Sequence, residues 1–125
     1  MTKTSWFLVL AAVGLTPIAL AYGLMPGTTL PLLYGIEVES PSLAHVFRAV
    51  MGLYLAMVVL WLMGALNRRF ETAALYSLIV FMLGLAAGRL ISLLVDGVPS
   101  PLLIVYLLLE IGFGVVGLML ARRAE

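Results

Sequence analysis

The sequence predicts an all-α fold, an integral membrane four-helix bundle with both termini on the cytoplasmic side, and three observations predict it. Hydrophobic residues fill 64% of the 125 positions and charged residues only 10%, with a mean hydropathy of +1.20. That leaves too little polar surface to cover a soluble globule, so the solvent is largely lipid. The apolar residues fall into four runs, 6–25, 43–66, 73–95 and 102–121, each close to the roughly 20 residues that a bilayer-spanning helix needs. Finally, Lys3, Arg68, Arg69, Arg122 and Arg123 all fall on one side of a four-span topology, and the positive-inside rule assigns that side to the cytoplasm. Residues 1–125 then form a single transmembrane domain with short connections.

The first run follows Lys3, and Ala19-Leu20-Ala21 resembles the small-residue end of a secretory signal. The run is longer than a usual signal core and contains Pro17, which a membrane helix tolerates, so it is read as a retained span. The outer loop, 26–42, is too apolar for an ordinary wet connection. Leu30, Leu32, Leu33, Tyr34, Ile36 and Val38 must rest on something, either the interface or the helix ends. Ser40-Pro41 and Ser100-Pro101 place a hydroxyl cap before a proline at the first helical position, where the missing N–H costs nothing; they start the second and fourth helices. The charged turn from Asn67 to Glu71 separates the second and third helices, with Thr72 expected to cap the third. Glu37, Glu39 and Asp96 lie on the outer side, in agreement with the orientation. Trp6 and Trp61 read as belt or lipid-facing residues.

Candidate function rests on ionisable groups that an apolar bundle does not need. Arg48, Arg89 and Glu110 sit in or near the hydrocarbon, where each costs a few kcal/mol unless it faces protein or water. Counted from the outer helix ends they lie roughly 6, 9 and 12 Å deep, in one layer. At helical spacing Leu85, Arg89, Ser92 and Asp96 share a face of the third helix; Leu103, Tyr106, Glu110, Gly114 and Gly117 share one of the fourth. On the second helix the stripe is His45, Arg48, Gly52 and Leu55, and the glycines beside these charges would let helices approach closely. The spacing of Gly84 and Gly88 carries a weaker signal of the same kind.

The polar cluster expected from this pattern is Arg48, Arg89, Ser92, Asp96, Tyr106 and Glu110. Arg89 and Glu110 read first as an interhelical salt bridge, Tyr106 as a hydrogen-bond partner of Glu110, Arg48 as snorkelling to headgroups, and Asp96 as capping the turn Asp96-Gly97-Val98-Pro99. The functional reading is a pocket opening outward. Two arginines against one glutamate would leave a positive surplus suited to a lipid-like or anionic headgroup.

No catalytic constellation is present. The absence of cysteine removes disulfides, thiolate metal sites and cysteine nucleophiles, and the single histidine, His45, lacks companions for a metal. No cofactor, metal or nucleic-acid partner is expected; membrane lipids are, together with a larger membrane complex or self-association. The leading class is therefore a non-enzymatic accessory or scaffold protein. The alternative is an intramembrane quinone- or lipid-acting enzyme subunit. A small proton-coupled exporter is disfavoured, because four-helix exporters of similar length carry their glutamate in the first helix and Glu110 lies in the fourth.

The run Gly88-Arg89-Leu90-Ile91-Ser92, then Asp96-Gly97-Val98-Pro99-Ser100, with Glu110 in the next helix and Arg48 ahead of Gly52 and Tyr54, resembles the bacterial domain-of-unknown-function family 4345. The resemblance covers nearly the whole chain. It implies a four-helix protein of the bacterial inner membrane without an assigned activity. A looser similarity to DoxX-type membrane proteins implies an accessory role near redox complexes.

Overall fold

A computed structural model describes residues 1–124. Its long helices are α1 (Lys3–Gly23), α3 (Pro41–Leu66), α4 (Glu71–Asp96) and α5 (Pro101–Ala124); a one-turn α2 (Pro26–Thr29) makes five. No strand occurs among the described residues. The four long helices are each long and apolar enough to cross a membrane, which fits a small membrane protein.

The helices start where local chemistry allows. Thr2 accepts a hydrogen bond from the Ser5 N–H, and Ser40 accepts one from Leu43 N–H ahead of Pro41. Ser100-Pro101 likewise starts α5, with Leu103 N–H donating to the Ser100 carbonyl at 3.0 Å, while the Ser100 hydroxyl donates across to the Leu33 carbonyl at 3.5 Å. Thr72 does not cap α4. A 3₁₀ turn, Arg68–Phe70, is held by Asn67 accepting from Arg69 N–H, and α4 already begins at Glu71. The Glu71 carboxylate suits a helix N-terminus and accepts from Thr2 and Ser5 hydroxyls at 3.3 and 3.4 Å, tying the start of α1 to the start of α4.

The outer connection folds back onto the bundle. After α2 the chain makes a π-helical turn, Leu30–Tyr34, closed by Gly35 at φ 68°. Leu30 and Tyr34 are buried and Ile36 and Val38 pack on the core, but Leu32 and Leu33 are exposed, so two of the six apolar residues are not covered by protein.

Packing divides the bundle unevenly. On α1, Leu8, Ala11, Ala12, Leu15, Ala19 and Tyr22 form one buried stripe at helical spacing. It lies closely along α3, while α5 lies along α4 and α3 meets α4. Between α1 and α5 there is almost no close approach, and the Phe7–Phe113 ring stack at 5.4 Å bridges them near the end that carries the termini.

Glycines record the close contacts. A Cβ at Gly23 would meet Met51, Phe47 and Arg48; one at Gly64 would meet Ala74; those at Gly114 and Gly117 would meet Leu83 and Ile79. The pair on α5 sits where the sequence stripe put it. On α3 and α4, however, Gly52, Gly84 and Gly88 have nothing within 4 Å of a Cβ and bring no helices together. The packed face of α3 is instead Tyr54, Val58, Trp61 and Ala65. Trp61 is accordingly not a lipid-facing residue: it is fully buried, donates to Ser77 Oγ at 3.2 Å and meets Phe81 edge-on. Trp6, 63% exposed, keeps the expected position.

Candidate functional site

The site lies toward the end of the bundle that carries the 24–40 and 97–100 connections. Arg89 projects from α4 and Glu110 from α5, and the guanidinium Nε donates to Glu110 Oε1 at 2.8 Å. The side chains are 21% and 9% exposed, so the pair faces inward, the carboxylate more completely. A charge-assisted bond of this length replaces the hydration that both groups give up.

Around the pair stands a shell of aromatic hydroxyls. Arg89 Nη2 donates to Tyr22 OH at 3.2 Å, and its guanidinium lies 5.8 Å from the Tyr106 ring centroid. The Tyr106 hydroxyl does not pair with Glu110. It is bonded to Tyr34 OH at 2.8 Å, because the folded-back connection brings that ring over α5. Burial pushes the Tyr34 hydroxyl well above its ordinary pKa, and the bond to Tyr106 adds to this, so it stays neutral. Tyr22 is the hub, its ring within 5.3–6.4 Å of Tyr34, Tyr54, Phe47 and Tyr106. Tyr34→Phe leaves Tyr106 without its partner in a buried place and should cost about 1–2 kcal/mol of unfolding free energy in bicelles. Tyr34→Phe combined with Tyr106→Phe should recover part of that loss.

The other expected members are placed elsewhere. Arg48 is exposed and donates from Nη1 to the Gly23 and Leu24 carbonyls at 3.0 and 3.3 Å. It caps the last turn of α1, where carbonyls lack helical partners and a cation meets the negative end of the dipole. Ser92 donates to Asp96 Oδ2 at 2.8 Å within one turn of α4, so Asp96 is engaged by that hydroxyl rather than by the turn after it. Gly97, at φ 94°, breaks the helix instead. With Arg48 diverted and Arg89 matched by Glu110, the expected surplus of positive charge does not collect at the centre. Sequence reading left Tyr22 out and took Tyr34 and Tyr54 for other purposes. The available signal was that Tyr22, Tyr34 and Tyr106 all fall near the outer end of their segments; Tyr54, midway along α3, carried none.

Three apolar crevices converge on the pair. One of about 60 Å³ lies between α1 and α5, where Glu110, Tyr106 and Tyr54 meet Ala11, Leu15 and Phe113. A wide groove of about 600 Å³ runs between α3 and α4 over Gly84 and Gly88 to Arg89 and Ser92. A smaller one of about 90 Å³ reaches Arg89 between α4 and α5, beside Pro99, Leu103 and Leu107. The ion pair is closed on itself yet bordered by space on several sides. No group of three potential metal ligands occurs among the described residues.

The family model described as Domain of unknown function (DUF4345) matches residues 4–121. The chain belongs to the DUF4345 family. The matched span takes in nearly all of the four long helices and the whole polar centre of this DUF4345 member. The DoxX-type similarity has no counterpart in that match. No curated protein and no solved structure matches the chain.

Proposed function

We propose that this DUF4345 protein is a non-enzymatic accessory protein of a membrane that receives a lipid-like molecule at its Arg89–Glu110 centre, in the leaflet next to the folded-back connection. The observation that carries the reading is the convergence of apolar crevices between the long helices on a buried ion pair. An ion pair that only fixed helix register would be better sealed by apolar neighbours, since open space beside it lowers packing and leaves polar atoms to be satisfied. The basic residues at the other end, Lys3, Arg68, Arg69, Arg122 and Arg123, support an orientation with that end in the cytoplasm and the centre in the outer leaflet. The broad exposed apolar surfaces left over, Ile91 and Leu94 among them, are where a larger membrane complex would pack.

Native mass spectrometry from phosphatidylethanolamine and phosphatidylglycerol nanodiscs supplemented with diacylglycerol and hexadecanol tests this. The wild-type chain should leave the membrane with a bound lipid-sized adduct, and the paired substitution Arg89→Leu with Glu110→Leu should lower its occupancy about tenfold. Equal adducts on both proteins, or none on either, would reject the reading.

A further inference from the structure

We infer that the cleft between α1 and α5 is a binding site for a single-chain, hydroxyl-headed amphiphile, which enters sideways from the bilayer and donates a hydrogen bond to Glu110. The inference rests on the reading of the polar centre given above and adds the groove, the number of chains and the head chemistry.

The groove is set by how the helices pack. Since α1 is held by α3 and α5 by α4, the α1/α5 seam stays apart, and two cavities of about 60 and 310 Å³ adjoin along it, sharing Leu109 and Phe113. Their walls are apolar apart from the end at Glu110, Tyr106 and Tyr54. Gly14 and Gly112 line the two cavities, and a Cβ at either would meet nothing within 4 Å. The missing side chains give width here, in contrast to Gly23, Gly64, Gly114 and Gly117, which bring helices into contact. From Tyr106 to Val116 the seam runs about 15 Å along α5, about 9 Å of it beyond Glu110, so the first part of an alkyl chain lies in it and the rest returns sideways to the bilayer. A seam narrow enough to be spanned by the Phe7–Phe113 stack has room for one chain.

The head chemistry follows from Glu110. Its side chain is 9% exposed; Oε1 is taken by Arg89, and Oε2 accepts no hydrogen bond from the described residues. A carboxylate held by a guanidinium is an acceptor, so the complementary head is a donor. The neighbouring Tyr106 hydroxyl is already committed to Tyr34. A sulfate or phosphate head would bring like charge to the carboxylate, and an ammonium would add an uncompensated charge to a neutral pair. A hydroxyl satisfies the open oxygen without either cost.

The test uses the full chain in phosphatidylcholine nanodiscs and three photoreactive probes carrying a diazirine in the alkyl chain: hexadecanol, its methyl ether and its sulfate ester. The alcohol should label α1 and α5 around Ile18 and Leu109, with the ether and the sulfate about tenfold weaker. Gly14→Leu should fill the cleft and lower alcohol labelling about tenfold, while Val13→Leu, one residue away on the exposed face, should leave it unchanged. Gly112→Leu blocks the same seam from the opposite wall; should either variant fail to fold, the three-probe comparison on the wild-type chain still decides. Equal labelling by all three probes, or labelling that survives Gly14→Leu, would overturn the inference. Alcohol-specific labelling confined to the α3/α4 groove around Gly84 would overturn the cleft assignment and leave the polar-centre reading standing, whereas loss of the adduct difference in the mass-spectrometric experiment would remove that reading itself.

Discussion

Glu110→Leu is expected to destabilise the chain by about 3–5 kcal/mol, because it leaves the Arg89 guanidinium buried without its counter-charge. Two contacts would remain to Arg89, the Tyr22 hydroxyl at 3.2 Å and the Tyr106 ring, and neither carries a negative charge. Adding Arg89→Leu to Glu110→Leu should bring stability back to within about 1 kcal/mol of wild type, since apolar groups of similar volume often replace a buried pair at little cost. The measurement is the unfolding free energy of the two single and one double variant in bicelles, read as a thermodynamic cycle. A single-variant loss below about 1 kcal/mol would mean that the two charges are not held together in the bundle.

Gly64→Val carries the second large effect. Its Cβ would press on the Ala74 Cβ, on the Phe70 carbonyl oxygen at 3.0 Å and on Leu8 Cδ1 at 3.3 Å. The Phe70 oxygen belongs to backbone at the junction of the 3₁₀ turn and α4, and the Leu8 and Ala74 side chains are fully buried, so nothing there yields easily. Overpacking at such a place costs about 1–3 kcal/mol, and the second methyl of valine places the expected loss near 3. Gly52→Val on the same helix meets nothing within 4 Å and should change stability by less than about 0.5 kcal/mol, with the better helix propensity of valine in its favour. Thermal unfolding of the two variants in one detergent separates a contact effect from a general effect of adding bulk to α3.

The long helices were legible because hydropathy and length act locally: each apolar run corresponds to a helix within a few residues of its predicted bounds. Arg89 with Glu110 was legible for the same reason that it is costly, as charges at matching depth on consecutive helices have few alternatives to pairing. Which residues complete the centre depends on long-range packing. Tyr34 reaches Tyr106 only because the 26–40 segment turns back through a π-helical turn, and nothing in its composition distinguishes folding back from lying at the interface. Arg48 fell out of the cluster because open carbonyls at the end of α1 happen to lie beside it.

Glycine shows the limit most clearly. Gly23, Gly64, Gly114 and Gly117 mark helix contacts, while Gly14, Gly52, Gly84, Gly88 and Gly112 border open space. The residue type is identical, and only the facing helix decides which role it plays. Small residues therefore announced closeness at Gly52, which faces open space, and at Gly84 and Gly88, which line a groove. The open glycines became informative once it was known that α1 and α5 stay apart.

The most direct measurement of the account is an experimental density map of the chain in lipid nanodiscs. It should show Arg89 and Glu110 in hydrogen-bond contact inside the bundle, with one elongated molecule between α1 and α5 whose polar end meets Glu110. Density in which α1 and α5 close upon each other, or in which the two charged side chains turn outward to separate lipid surfaces, would contradict it.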